Sequence, residues 1–221
     1  MRDQAASALA GADDDFFERA RARLTLEVPL SLLDPMAEGA RGDLDLNPSM
    51  WEAAGVTAAK PAAVLVPIID RSEPTVLFTV RTQDLASHAG QVSFPGGKID
   101  PDDESPVAAA LREAKEEIGL APSLIEPLGY LDLYLTFSGF RILPTVARVR
   151  QEFLLTLNPR EVTESFEVPL SFLMTPENHQ RKSREWKGVT SEFYAIPFEN
   201  RYIWGATAGI VRNLYERVCS T

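Results

Sequence analysis

The segment from Ser105 to Gly119 constrains the fold most, because its residues specify both ends of a single helix. Ser105 offers a hydroxyl N-cap, Pro106 suits the first helical position and Gly119 is a natural C-terminal stop. Apolar residues between these ends recur at helical spacing, so we predict that one face of the helix packs on a sheet. The apolar positions are Val107, Leu111, Ala114 and Ile118.

Three glutamates, Glu113, Glu116 and Glu117, lie near the C-terminal end of this helix. Residues three and four apart on a helix are neighbours, and a pair of like charges at that spacing costs about 0.2–0.5 kcal/mol. Acids in the last turn also face the negative end of the helix dipole, at about 0.3–1 kcal/mol each. A solvated acidic face is one interpretation of the cluster. Because a hard divalent cation, Mg²⁺ or Mn²⁺, would neutralise the carboxylates, we predict a metal site.

A glycine pair, Gly96 and Gly97, lies upstream of the helix at the end of a predicted strand. Glycine permits backbone conformations and close approaches that a side chain forbids. A backbone carbonyl or N–H at this turn can therefore reach a metal ion or a phosphate. The strand, the glycine turn and the acidic helix together favour hydrolysis at phosphorus, where metal ions neutralise charge and activate water.

The rest of the chain predicts an α/β (α+β) domain with a mixed sheet. Residues 62–69 and 75–80 are short β-type runs on either side of a turn-like linker, and they predict a hairpin. Further predicted elements are strands over 128–135, 143–149 and 191–196 and a helix over 205–218.

The first 60 residues have a different pattern from the remainder of the chain. They alternate charged and apolar residues at roughly helical spacing and then form a loop-like stretch. We predict an N-terminal extension of one or two helices and a connector over residues 1–60, and the main domain over residues 61–221.

Charge and cysteine content limit the function classes. The net charge of −10 argues against non-specific nucleic-acid binding, which needs Lys and Arg to neutralise phosphates. A small anionic substrate would therefore need a metal ion or a compact basic pocket. The longest apolar run, 62–69, is too short to span a bilayer. The single cysteine, Cys219, and the lack of a secretory signal pattern favour a reducing cytoplasm.

Residues 112–120, REAKEEIGL, match the second half of the Nudix box at every specified position. The box consists of a glycine, five residues, a glutamate, seven residues and then REUXEEXGU, in which U is apolar. The first half departs from this pattern, because Asp103 stands sixth after Gly97 in place of glutamate and one additional residue precedes Arg112. This spacing resembles the Nudix subgroup that acts on coenzyme A (CoA).

An upstream stretch also resembles the CoA subgroup. The subgroup pattern there is, in order, LLTXR, then Ser or Ala, three residues, Arg, three residues, Gly, three residues and FPGG. The positions that fit are Leu77, Thr79, Arg81, Gly90 and residues 94–97. The positions that depart are Phe78, Thr82 and Ala86, and Ala86 stands where the subgroup has an arginine. Segments 88–97 and 202–208 add to the likeness, which covers about residues 61–218.

The resemblance implies a Nudix-type α/β/α sandwich whose site lies on a strand–loop–helix segment. It implies that Glu113 and Glu117 are metal ligands and that Glu116 shares the site. The carbonyl of Gly97 is a further candidate ligand. Arg112 is expected to orient the carboxylates, as its charge and proximity also suggest.

Other site residues are expected from outside the helix. The base for the attacking water is expected to be Glu161, with Glu164 as the second candidate. The residues expected to contact the anionic substrate are Arg81, His88, Lys98 and Arg141. His88 is equally compatible with a role in structuring its loop. Trp204 is expected in the core and not as a base-stacking platform.

The leading function implied by the resemblance is metal-dependent cleavage of the pyrophosphate in CoA or an acyl-CoA. The products would be 4′-(acyl)phosphopantetheine and adenosine 3′,5′-bisphosphate. ADP-ribose, NADH or another nucleoside diphosphate derivative is an alternative substrate, because Ala86 replaces the arginine of the CoA subgroup. A binding module without turnover is a third possibility, which the intact acidic cluster argues against. The resemblance also makes a homodimer plausible.

Overall fold

A computed structural model describes residues 16–34, 40–48, 59–83, 88–186 and 189–220 of the chain. Its helices are α1 (described over residues 16–23), α2 (Leu30–Leu33), α3 (Asp43–Leu46), α4 (Pro106–Ile118), α5 (Leu170–Leu173) and α6 (Ala206–Leu214). Short 3₁₀ turns cover Pro122–Leu124 and Pro176–Asn178, and a π-helical turn, Tyr215–Cys219, continues α6. Among the described residues, we find no helix that is both long enough and apolar enough to cross a membrane.

The strands are β1 (Arg41–Gly42), β2 (Lys60–Asp70), β3 (Thr75–Arg81), β4 (Val92–Ser93), β5 (Gly96–Lys98), β6 (Ile125–Tyr130), β7 (Tyr134–Leu135), β8 (Phe140–Arg150), β9 (Val162–Pro169), β10 (Gln180–Trp186), β11 (Val189–Phe198) and β12 (Arg201–Trp204). Within the described residues, nine of them form one sheet in the order β1-β7-β8-β2-β3-β4, and β5, β6 and β9 pair with β2, β8 and β3. The pairs β2–β8 and β1–β7 are parallel, and pairs such as β2–β3 and β3–β9 are antiparallel. The predicted mixed sheet is confirmed. Strands β10, β11 and β12 form a second, antiparallel sheet.

Both faces of the mixed sheet are covered, which is why β2 is an almost continuous apolar run. On one face, Ala63 and Leu65 belong to a buried cluster with the apolar residues of α4. On the other face, Val66 and Ile68 belong to a cluster that includes residues of α1 and α6. Helices therefore pack on both faces of the sheet, as the α/β/α architecture requires.

The predicted hairpin is confirmed, because β2 and β3 pair in antiparallel fashion with Ile68 opposite Val76. The prediction of one strand over 128–135 is wrong, because the chain leaves the sheet between β6 and β7. In that gap the backbone N–H of Asp132 donates to Oδ1 of Asn213 at 3.1 Å. A side-chain acceptor on α6 thus takes the place of a strand neighbour.

The described part of the predicted extension packs on the main domain. Phe16 and Phe17 of α1 are only 3% and 2% exposed and lie in the core cluster that contains α6. Thr25 forms an isolated bridge with Tyr130, and β1 pairs with β7. These contacts make α1 and β1 part of the same folded unit, while a boundary at residue 60 stays a prediction.

We expect Phe17→Ala to lower the free energy of unfolding by about 3–5 kcal/mol, because it removes a fully buried ring. Urea denaturation of the full chain measures the change. Leu33→Ala is the matched control, since Leu33 is 75% exposed and its removal should change stability by less than about 0.5 kcal/mol. An equally small effect of Phe17→Ala would mean that α1 does not contribute to the core.

Candidate active site

The local sequence fixes both ends of α4 as predicted. At the N-terminus, Oγ of Ser105 accepts a hydrogen bond from the N–H of Ala108 at 3.1 Å. At the C-terminus, Gly119 has a φ of 72°, a left-handed conformation that favours glycine. Its N–H donates to the carbonyl of Lys115 at 3.0 Å. The glutamates near this end are therefore held on a helix of defined length.

The glycine pair lets the backbone approach the carboxylates of α4. Strand β5 pairs with β2 so that Gly96 lies opposite Val64. Gly96 has a φ of 151°, and a Cβ there would lie 2.4 Å from the carbonyl oxygen of Ala63. A Cβ on Gly97 would lie 2.5 Å from Oε1 of Glu113. A side chain at Gly96 would therefore clash with the backbone of β2, and a side chain at Gly97 would require the carboxylate of Glu113 to move.

Glu117 is the most deeply buried carboxylate of the helix, at 2% exposure. The N–H of Gly96 donates to its Oε2 at 3.1 Å, and Nη1 of Arg81 lies 3.8 Å from its Oε1. Burial raises the pKa of Glu117 to about 8, although the Gly96 hydrogen bond and the charge of Arg81 act in the opposite direction. Glu117 therefore binds a proton far more strongly than an exposed glutamate does.

Glu113, Glu117 and Glu161 bring three carboxylates together. One oxygen from each lies within 4.8 Å of the others. Burial also raises the pKa of Glu113, against the hydrogen bond from Arg112. A cation at this point would stabilise the charged forms that burial disfavours. Because all three donors are hard oxygens, the cluster fits a divalent ion such as Mg²⁺ or Mn²⁺.

The loop before β9 places Glu161 by binding the end of α4. The last carbonyls of a helix have no partner within the helix. Here the N–H of Asn158 donates to the carbonyl of Glu117 at 2.8 Å, and the N–H of Thr156 donates to that of Ile118 at 2.9 Å. Nδ2 of Asn158 also donates to Oε1 of Glu161 at 3.0 Å. The position of the third carboxylate is therefore tied to the helix that carries the other two.

Arg112 organises the outer side of the cluster. Its Nε and Nη2 donate to the two oxygens of Asp103 at 3.0 and 2.9 Å, and this contact lowers the pKa of Asp103. Its Nη1 donates to Oε1 of Glu113 at 2.9 Å and to Oε2 of Glu116 at 3.3 Å. The Glu116 side chain is 55% exposed and lies outside the group of three carboxylates. Asp103, which departs from the general box, therefore anchors Arg112.

The two candidate bases are placed differently. Glu161 joins the carboxylate cluster. Glu164 lies on β9, where Nη1 of Arg201 donates to its Oε2 at 2.7 Å and Nη2 of Arg201 donates to its Oε1. This ion pair holds Glu164 against Arg201, whereas Glu161 lies beside the two glutamates of α4, and the role of either residue as the base stays a prediction.

A cleft of about 860 Å³ borders the cluster, and Arg81, His88 and Lys98 line it together with the three glutamates. Nδ1 of His88 lies 2.9 Å from Oε1 of Gln91, and His88 has a φ of 60°, so its loop is locally constrained. Three of the four residues expected to contact substrate therefore lie along one cleft.

Arg141 does not join them. Its neighbours Phe140 and Ile142 line the cleft, and successive side chains of a strand point to opposite faces. Arg141 is only 7% exposed, and within the described part of the chain its Nε and Nη1 have no hydrogen-bond partner. Contact between Arg141 and the substrate therefore stays a prediction that the lining of the cleft does not support. Ala86 lies outside the described residues.

Sequence reasoning missed part of the cleft wall. Asp43, Phe137 and Arg184 line the cleft, and Asp43 begins α3 within the stretch of the extension that the sequence predicts to be a loop. Trp204 also lines the cleft and is half-buried, so its assignment to the core is corrected. These residues are far apart in sequence, and no spacing rule connects them.

The chain is similar to one family model, to curated relatives and to solved structures. The NUDIX domain family matches residues 59–190. The uncharacterized Nudix hydrolase NudL of Yersinia pestis (strain Pestoides F) is 42% identical over 157 residues, which cover 71% of this chain and 79% of that protein. The NudL of Yersinia pseudotuberculosis serotype O:1b has the same identity and coverage. A MutT/nudix family protein from Enterococcus faecalis superposes with a TM-score of 0.47 at 15% identity, covering 72% of this chain and 62% of that one.

We expect Glu117→Gln to stabilise the metal-free protein increasingly as pH rises. Between the ordinary glutamate pKa of 4.5 and about 8, the unfolded chain releases a proton that the folded protein retains, so the wild type loses stability. Glutamine cannot titrate and avoids this loss. Calorimetry in EDTA should show the Tm difference between variant and wild type growing through this range and then levelling.

Glu116→Gln is the matched control for this experiment. The Glu116 carboxylate is largely exposed, so the Tm of the Glu116→Gln variant should follow that of the wild type at every pH. A Tm difference for Glu117→Gln that stays constant across the range would contradict the burial of an ionisable Glu117.

Proposed function

The chain belongs to the Nudix hydrolase family, and we propose that it hydrolyses the pyrophosphate bond of CoA or of an acyl-CoA. Family membership assigns hydrolysis of a nucleoside diphosphate derivative. Hydrolysis of CoA or an acyl-CoA would give 4′-(acyl)phosphopantetheine and adenosine 3′,5′-bisphosphate as products. The observation that carries the CoA proposal is the Asp103–Arg112 pair. The box spacing that resembles the CoA subgroup has a structural role here, because it supplies the anchor for Arg112.

The acidic cluster is proposed as the reaction centre. Glu113 and Glu117 would hold Mg²⁺ or Mn²⁺, with the carbonyl of Gly97 as a further ligand. When bound, such an ion would neutralise charge on the pyrophosphate and lower the pKa of the attacking water. Arg112 orients Glu113 through its hydrogen bond, and Glu116 adds negative charge at the rim of the site.

Glu161 is the proposed base for the attacking water. It lies on a different element from the other two carboxylates, and Asn158 fixes one of its oxygens. The other oxygen is then available to accept a proton. Arg81 and Lys98 line the same cleft and would bind the phosphate oxygens, and His88 would contact the substrate beside them.

An ADP-ribose- or NADH-like substrate is the second candidate, and Ala86 favours it, since the CoA subgroup has an arginine at that position. A binding module without turnover is disfavoured, because a binder has no need for a costly cluster of buried carboxylates.

We expect the protein to hydrolyse CoA in the presence of Mg²⁺ or Mn²⁺ with a kcat/KM at least about tenfold above that for ADP-ribose, or about 1.4 kcal/mol of transition-state binding. Mass detection of both products across a panel of CoA esters and nucleoside diphosphate derivatives measures the preference. A kcat/KM for ADP-ribose equal to or above that for every CoA ester would overturn the CoA assignment.

Glu161→Gln should lower kcat by about 10²–10⁴-fold with an unchanged fold, because a positioned base is lost. Glu164→Gln is the matched control. It lies three residues away on the same segment and should retain most of the activity, since Glu164 pairs with Arg201. The reverse ranking of the two variants would show that the base is misassigned.

A further inference from the structure

One part of the cleft wall is built from residues outside the acidic cluster. We define it as the aromatic corner, formed by Asp43, Phe137, Arg184 and Trp204. These four residues come from α3, the turn before β8, strand β10 and strand β12. The corner shares the cleft with the acidic cluster but uses no residue of the Nudix box.

Asp43 is held in place by several hydrogen bonds. Its Oδ1 accepts from the hydroxyl of Tyr134 at 2.9 Å, and its Oδ2 accepts from the N–H of Phe137 at 2.9 Å. Asn47, at the end of the same short helix, donates to the carbonyl of Glu192 on β11 at 2.9 Å and accepts from its N–H at 2.7 Å. The extension is therefore fastened to the second sheet beside the cleft. Each oxygen of Asp43 retains capacity for a further donor.

Arg184 provides the opposite charge. Its guanidinium carbon lies 5.3 Å from the centre of the Trp204 ring, and its side chain is exposed to the cleft. Burial raises the pKa of the Asp43 carboxyl, and Arg184 is near enough for its positive charge to act in the opposite direction. The aromatic corner therefore combines a fixed hydrogen-bond acceptor, Asp43, with a hydrogen-bond donor, Arg184. Because their charges are opposite, the corner carries little net charge.

Phe137 presents an apolar surface in the same place. Its side chain is 38% exposed, although it lines a cleft. The Asp43 hydrogen bond to its backbone N–H holds the turn that carries the ring. An exposed aromatic ring in a concave site is a surface on which a planar ligand group can stack.

The chemistry of the corner selects among the parts of a nucleotide-like ligand. A phosphate would be repelled by the carboxylate of Asp43. A trans amide points its N–H and C=O in opposite directions, so it cannot engage a neighbouring acceptor and donor together. Adenine carries an amino donor directly beside a ring-nitrogen acceptor on a flat aromatic body. Adenine therefore offers a donor for Asp43, an acceptor for Arg184 and an aromatic face for the Phe137 ring.

We propose that the aromatic corner is an adenine-binding subsite, with Asp43 accepting from the 6-amino group, Arg184 donating to a ring nitrogen and Phe137 stacking on the base. Asp43 is then a specificity-determining residue that the N-terminal extension contributes to the cleft. This inference rests on the proposed function only in placing a nucleotide in the cleft, since CoA and ADP-ribose both contain adenine.

Equilibrium binding tests the proposal without turnover. The probes are AMP and adenosine 3′,5′-bisphosphate, each compared by calorimetry with its 1,N⁶-etheno derivative, which lacks the amino donor. Wild-type protein should bind at least one parent nucleotide about tenfold or more tightly than its etheno derivative. Asp43→Asn should reduce this ratio to about threefold or less, mainly by weakening the parent nucleotide.

Two further variants separate recognition from structural damage. Phe137→Leu should weaken a parent nucleotide and its etheno derivative in parallel, because both retain a face that stacks. Arg184→Gln should weaken the parent nucleotides, whereas Arg181→Gln, on the same strand but paired with Glu192, should not. Parallel loss of both ligands in Asp43→Asn would assign Asp43 a purely structural role and overturn the proposal.

Equal affinities for a parent nucleotide and its etheno derivative in both pairs would also overturn the adenine subsite. The same holds if none of the four ligands binds. The proposed function fails independently, through absent CoA hydrolysis. A protein that discriminates the etheno derivatives but does not cleave CoA would retain the aromatic corner and lose the CoA assignment.

Discussion

The burial of the Glu117 carboxylate is the constraint on which the site depends. A carboxylate that is 2% exposed must be protonated, hydrogen-bonded or paired with a cation. The fold supplies one N–H from Gly96 and a guanidinium from Arg81, and these do not offset burial, since the pKa remains raised to about 8. A divalent ion bound by Glu117 and Glu113, with Glu161 beside it, would stabilise the charged form of Glu117, which gives a physical reason for the closeness of these three groups.

The rest of the fold holds this unfavourable group in place. Helix α4 is capped at both ends and packs its apolar face on β2, which itself is covered on both sides. Its free C-terminal carbonyls bind the loop that carries Glu161. The hydrogen bonds that pair the last carbonyls of α4 therefore also position Glu161, so the same contacts stabilise the helix and set the geometry of the site.

Sequence alone predicted features that are encoded locally. The caps at Ser105 and Gly119, the hairpin of β2 and β3 and the grouping of Glu113 with Glu117 all depend on residues within one segment. The break between β6 and β7 could not be predicted, because the competing acceptor, Asn213, lies 81 residues away. The face of Arg141 depends on strand register, and the partner of Glu164 is an arginine on β12. The position of Asp43 in the cleft depends on the hydrogen bond from Asn47 to β11 and on its own hydrogen bond to the turn at Phe137, and neither contact can be read from a local sequence pattern.

Mn²⁺ binding tests the central claim most directly. Titration followed by electron paramagnetic resonance should show a bound ion in the wild type and in Glu116→Gln with similar affinity. Glu117→Gln should weaken binding by at least about tenfold, because a charged ligand is replaced by a neutral one. If Glu117→Gln binds Mn²⁺ as tightly as the wild type, or if Glu116→Gln alone loses the ion, the buried three-carboxylate cluster is not the metal site.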